Sequence, residues 1–179
     1  MIELGSVLSR VRRPISLAPD EDYKLVTIRL KQKGVCLRTT KVGSEIKSPM
    51  SVVSTGDFIL SGIDARNGAF GIVPEELHGA VVTNDFWILE VDENVVLPEY
   101  FLELTRADWF EAICQNCSSG TTQRIRLNKD LFFSHQVHFP PLDVQRERLG
   151  KIEELDELFR LNNEQLELIK DLRIRYLTE

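Results

Sequence analysis

The chain has 179 residues, 42% hydrophobic and 28% charged, which is enough for one ordinary domain with a sizeable core and too apolar for a disordered tail. Its formal net charge is −6, from 22 basic and 28 acidic residues, and the total alone argues against a nucleic-acid binder. No run approaches ~20 uninterrupted apolar residues, the amino terminus carries no basic-then-apolar signal, and three cysteines are too few for a disulfide scaffold, so the expected setting is a reducing cytoplasm without membrane attachment.

In chain order, residues 24–30 predict a strand, Gly34 breaks it, and Val35, Cys36 and Leu37 resume it. Residues 50–53 and 58–60 are short β-prone runs separated by a Thr55-Gly56-Asp57 turn. Residues 69–73, 80–82 and 86–91 add further short strands. Such closely spaced strands predict a curled, mostly antiparallel sheet. Pro98 opens a helix, with Tyr100, Phe101, Leu104, Phe110 and Ile113 as its apolar face and Ser118-Ser119-Gly120 as its stop. Residues 127–133 predict a second short helix, and residues 136–139 a strand.

Pro140 and Pro141 divide the chain. Residues 143–178 follow as one Pro-free run, a helix roughly 54 Å long at ~1.5 Å per residue, with Asp143 as N-cap. Ile152, Leu155, Phe159, Asn162, Leu166, Ile169, Arg173 and Tyr176 repeat at heptad spacing. Leu158, Leu161, Leu168 and Leu172 widen the stripe. A body of ~140 residues is roughly 30–35 Å across and cannot bury such a helix, so a second helix is expected against it. The fold class is therefore α+β: a domain over residues 1–141, then a coiled-coil-forming helix over residues 142–179.

The charge is segregated. Residues 10–47 hold ten basic and four acidic side chains; residues 74–111 hold ten acidic side chains and only Arg106; residues 119–129 hold Arg124, Arg126 and Lys129 with no acid. Phosphate binding follows local potential, so Lys31, Lys33, Arg38 and Lys41 are candidate phosphate contacts. Thr121, Thr122, Gln123, Arg124 and Arg126 follow Gly120 in a stretch read as a polar loop, in which hydroxyls suit phosphate oxygens and Gln and Arg suit base edges. Arg66 and Asn67 sit at the apex of a glycine-rich turn. For any one charge run the plain alternative is a solvated face.

Catalytic constellations are weak. Cys114 and Cys117 with His135 and His138 have zinc-ligand chemistry, but the gap is long and the histidines fall on opposite faces of a strand. Asp20, Glu45 and Lys47 mimic a metal-dependent nuclease set, but Gly43, Ser44, Ser48 and Pro49 make the surroundings loop-like. No nucleophile–base grouping stands out, and the chain is read as neither an enzyme nor a metal protein.

Three segments occur in order: Gly56-Asp57-Phe58-Ile59-Leu60-Ser61; Asn67-Gly68-Ala69-Phe70-Gly71-Ile72-Val73-Pro74; and Gly79-Ala80-Val81-Val82-Thr83-Asn84-Asp85-Phe86. Ser119-Gly120-Thr121-Thr122-Gln123-Arg124-Ile125-Arg126-Leu127 and Pro140-Pro141-Leu142-Asp143-Val144-Gln145 follow. This ordered set resembles the target-recognition domain and long helix of a type I restriction–modification specificity subunit, over nearly the whole chain. Val144 stands where that family commonly has glutamate.

The resemblance implies a non-catalytic subunit that reads one half of a bipartite site in double-stranded DNA. It also implies docking to methyltransferase subunits, which carry S-adenosylmethionine, and in a complete complex to a restriction subunit; the chain itself takes no cofactor. A full-length member has two recognition domains and two antiparallel helices, whereas this chain has one of each. A dimerising half-subunit and one half of a longer protein both fit. A metal-dependent nuclease and a coiled-coil interaction protein without DNA binding are the alternative classes.

Overall fold

Between Gly34 and Asn84 glycine, proline or asparagine recurs at intervals of nine residues or fewer and divides the apolar sequence into short strands. A computed structural model describes residues 1–120 and 125–178 and falls into two compact units, Met1–Phe139 and Pro140–Glu179. The first unit runs β1 (Ile2–Glu3), β2 (Leu8–Val11), β3 (Pro14–Ile15), β4 (Asp22–Ile28), β5 (Val35–Val42), β6 (Met50–Val52), β7 (Phe58–Ser61), β8 (Phe70–Ile72), β9 (Val81–Thr83) and β10 (Phe86–Val91). It continues with α1 (Pro98–Thr105), α2 (Asp108–Asn116), β11 (Ser118–Ser119), β12 (Arg126–Leu127), α3 (Lys129–Phe133) and β13 (Gln136–Val137). The second unit holds α4 (Leu142–Thr178). Antiparallel sheets, short helices and one long carboxy-terminal helix make this the expected α+β class.

Two sheets carry most of the strands. One has the order β2-β10-β7-β8 and is antiparallel throughout. The other has the order β3-β6-β9-β4-β5, antiparallel except where Leu25 of β4 meets Val81 of β9 in parallel. Val26, Ile28 and Val82 from the five-stranded sheet share one buried cluster with Ile59 and Ile88 from the four-stranded sheet. Burial of these side chains, about 1.5–3 kcal/mol each, holds the sheets together.

A second, aromatic cluster fixes the helices. Phe58 of β7 meets Phe101 edge-on at 4.9 Å, Phe70 of β8 meets Phe110 at 5.0 Å, and Phe101 meets Phe110 at 5.7 Å. This explains a difference from the sequence expectation of one helix running from Pro98 to the Ser118-Ser119-Gly120 stop. At about 100° per residue, positions nine apart fall on opposite faces of a continuous helix. Phe101 and Phe110 can reach one cluster only because the chain breaks at Arg106 and Ala107, where Ala107 is extended. Asn128 caps α3 by accepting hydrogen bonds from the Asp130 and Leu131 amides, so α3 starts at Lys129 and Leu127 pairs in a strand instead.

Asp57 organises the turn before β7. Its carboxylate accepts from the Ser54 amide at 2.7 Å and from Arg13 at 2.5 and 3.0 Å, and Arg13 also reaches Glu90 at 3.0 Å. The two carboxylates hold the Arg13 guanidinium charged, above its ordinary range.

In the second unit α4 is 37 residues long. Its first backbone hydrogen bond runs from the Gln145 amide to Pro141, and the Gln145 side-chain amide donates to Pro140 at 2.8 Å. Asp143, expected as N-cap, therefore lies inside the first turn, where its charge still favours the positive helix end. Among the described residues no helix is long and apolar enough to cross a membrane.

Candidate nucleic-acid interface

Two turns carry candidate interface residues. The first joins β4 to β5. The Arg29 amide donates to Gly34 at 2.9 Å, and between them Lys31 and Gln32 both take φ of 57°. Two consecutive non-glycine residues in the left-handed region are costly, of the order of 1 kcal/mol each. The second turn, a 3-10 turn at Ala65–Asn67, offsets that cost. Lys31 donates its amide to Asn67 at 2.9 Å, and Gln32 donates to Gly68 at 2.8 Å. Gly68 has φ +74°, and a Cβ there would lie 3.0–3.1 Å from the Lys31 and Gln32 backbones, so only glycine allows this approach.

The docking brings together four of the sequence candidates. Lys31 and Lys33 are exposed on one turn, and Asn67 and half-buried Arg66 stand on the other. Gln115 of α2 adds a brace that the sequence did not flag, its side-chain amide donating to the Arg66 carbonyl at 3.3 Å. The Arg66 Nε is buried and has no hydrogen-bond partner among the described residues. Asn67 donates to Asp64 at 3.3 Å.

Arg38 and Lys41 lie further along β5, the edge strand of its sheet. Leu25 faces Thr39 and Val26 faces Leu37, so Arg38 is the extra residue of a β-bulge with no residue opposite. Lys41 faces Tyr23 near the far end of the strand, roughly 20 Å from Val35 at ~3.3 Å per residue. Arg38 and Lys41 thus belong to the exposed edge, not to the docked turns.

Thr121, Thr122, Gln123 and Arg124 lie outside the described residues. The stem that leads to them is β11 paired with β12, and the Leu127 amide donates to Gly62 at 2.8 Å, which ties the stem to the segment carrying Arg66. Gly62 is required by close approach, since a Cβ would sit 2.9 Å from the Trp87 ring nitrogen. Arg126 is engaged by Asp85, so its guanidinium is shared with a protein carboxylate.

Several basic residues of the amino-terminal block serve the fold. Arg10 lies over the Trp87 ring at 4.7 Å and donates to the Asn84 carbonyl at 3.0 Å; burial and neighbouring Arg12 lower its pKa. Lys24 donates to the Glu76 carbonyl at 2.8 Å. The sequence total could not separate these from Lys31 and Lys33, because partners distant in sequence decide it.

The other constellations are dispersed. Cys114 and Cys117 are buried, whereas His135 and His138 are exposed. Burial, with smaller contributions from Cys117 and Glu111, pushes the Cys114 thiol up to about 12. The loops bearing Asp20 and Glu45 touch through their backbones, Ser44 donating to Pro19 at 3.1 Å, with Asp20, Glu45 and Lys47 all exposed. Among the described residues no three His, Cys, Asp or Glu side chains form a group that could hold a metal.

The chain is 31% identical over 116 residues to the type I restriction enzyme HindI specificity subunit of Haemophilus influenzae, a match over 63% of this chain and 25% of that protein. The fold resembles the HsdS subunit of Thermoanaerobacter tengcongensis, with a TM-score of 0.70 at 20% identity, covering 89% of this chain and 42% of that one. A chain solved in work on complex assembly and conformational transition of the type I restriction–modification system gives 0.69 at 23% identity, with the same coverage. The chain thus spans about a quarter of the curated relative and under half of the solved chains, and at these identities the structural matches speak for the fold alone. Residues 3–171 match the model of the type I restriction modification DNA specificity domain, and the chain belongs to that family.

Proposed function

We propose that residues 1–139 read one half of a bipartite double-stranded DNA site, that α4 pairs with a second helix to set the spacing to the other half, and that the chain docks methyltransferase subunits, with a restriction subunit joining a complete complex. The reading is supported by family membership and carried by one observation. Lys31, Lys33, Arg66 and Asn67 are brought onto two turns joined by backbone hydrogen bonds, one of which takes left-handed backbone at Lys31 and Gln32. Exposed lysines on a fixed turn suit phosphates, while Arg66, Asn67 and the Thr121–Arg124 loop suit base edges. Arg38 and Lys41 extend the phosphate track along the β5 edge. The chain contributes recognition, and S-adenosylmethionine chemistry belongs to the methyltransferase partner.

Selection from random duplexes by the full chain with its methyltransferase subunits defines the site. Against that site, Arg66→Ala and Arg124→Ala are each expected to cost about 1–3 kcal/mol and to relax preference at one base position. Unchanged binding and unchanged preference in both variants would remove the assignment of these two elements as readers.

A further inference from the structure

Asn84 and Asp85 form the two-residue turn between β9 of the five-stranded sheet and β10 of the four-stranded sheet. Three segments converge on it. Arg10 of β2 donates to the Asn84 carbonyl at 3.0 Å, the Gly62 amide donates to the Asp85 carbonyl at 2.7 Å, and the Arg126 guanidinium of β12 pairs with the Asp85 carboxylate. The Leu127 amide donates to the Gly62 carbonyl at 2.8 Å, which closes a ring of contacts through Asp85, Gly62 and β12. Backbone bonds thus set Asp85 close to Arg126 independently of the side-chain pair. We propose that Asp85 is a specificity residue. Its carboxylate withholds Arg126 from the phosphates of duplexes the chain does not read, and yields it to the phosphate of a correctly seated site.

Stability does not account for the pair. The Arg126 and Asp85 side chains are 55% and 44% exposed, and exposed ion pairs contribute little. The Arg13–Asp57 pair differs, because Asp57 is nearly buried and also holds the Ser54 amide. An exposed guanidinium is a planar fork that suits phosphate oxygens. A carboxylate tethered beside it competes at high effective concentration, so a phosphate passing in an arbitrary register loses to it. A duplex held in register by base contacts presents its phosphate as an equally local partner. The exchange then costs little, because the pair is already solvated. A negative charge at this turn therefore disfavours every duplex, and it disfavours most those that do not seat.

Because this role of Asp85 rests on the proposed DNA reading, the full chain with its methyltransferase subunits is titrated against both the selected site and a random duplex, at several salt concentrations. Asp85→Asn keeps the turn and its backbone bonds. It is expected to tighten binding of the random duplex about two- to fivefold, the range of one exposed ion pair, and of the selected site by less, so that the preference shrinks. On random DNA its salt slope should steepen by about 0.9, the mark of one added phosphate contact. Arg126→Ala in the same chain should remove that gain. An unchanged preference and slope in Asp85→Asn overturns the proposal. So does an equal gain on both duplexes, or a gain that survives Arg126→Ala, since either marks a diffuse charge effect. A parent complex that prefers no site overturns the DNA reading and this role with it, whereas a parent preference that Asp85→Asn leaves intact overturns this role alone.

Discussion

Arg13 is the cation against which Asp57 is buried, and Asp57 in turn holds the Ser54 amide at the turn into β7. The Asp57 side chain is 8% exposed, and that of Arg13 is 31% exposed. Arg13→Ala would leave a nearly buried carboxylate with one amide partner, and the expected loss is about 1–3 kcal/mol, below that of a fully buried pair because water reaches the arginine. Urea denaturation at neutral pH measures it, and a change under 0.5 kcal/mol would show that solvent replaces the guanidinium. Cys114 makes a second residue-level expectation. Burial raises its thiol to about 12 from a reference of 9.0, so the folded state favours the protonated form. The stabilisation is complete below pH 9 and is lost as pH rises through 12, with a limiting slope of about 1.4 kcal/mol per pH unit. Cys114→Ala should therefore flatten stability against pH between 9 and 12 relative to the parent. Equal slopes in the two proteins would mean that the thiol is solvated in the fold.

At the scale of elements, the candidate interface has one turn lying on another, and Gly68 is the contact point. Gly68→Ala introduces a Cβ 3.0–3.1 Å from two backbones at a φ of +74°. The expected cost is about 1–3 kcal/mol, and the Lys31 turn should separate from Arg66. Amide exchange should quicken at Lys31 and Gln32, whose N–H groups are held by Asn67 and Gly68, while the β10 core stays protected. Uniform exchange across the unit would show instead that the variant simply unfolds. Much of this element structure was legible in the sequence. Residues 86–91 predict a strand and form β10, because a continuous apolar run from Phe86 to Leu89 follows the Asn84-Asp85 turn. The break between α1 and α2 was not legible, since Phe101 and Leu104 on one side of it and Phe110 and Ile113 on the other each fit helical spacing, and only the aromatic cluster that Phe101 and Phe110 share forbids one continuous helix. Likewise Lys31 and Arg66 are separate candidates in the sequence, and nothing local says that the hairpin turn donates hydrogen bonds to the 3-10 turn 36 residues on. Gln115 escaped for the same reason.

At the scale of the whole molecule, the net charge of −6 and the proposed DNA binding are reconciled by which charges are committed. Arg10, Arg13 and Lys24 are held by a ring, carboxylates and a carbonyl, and Arg126 is held by Asp85. Lys31, Lys33, Arg38 and Lys41 remain exposed on one hairpin and its edge strand. If these four neutralise phosphates, binding to any duplex should fall with salt at a log–log slope of about −3.6, losing about 150-fold between 50 and 200 mM. The acidic residues between Pro74 and Glu111 do not cancel this, because screening at physiological salt confines each charge to ~8 Å. Lys31→Ala with Lys33→Ala should lower the slope by about 2 and weaken cognate and random duplexes alike, whereas Arg66→Ala should weaken the cognate site more than random DNA. Titrating both variants against both duplexes at several salt concentrations separates phosphate tracking from base reading. A double lysine variant with the parent's slope would move the phosphate contacts off this hairpin.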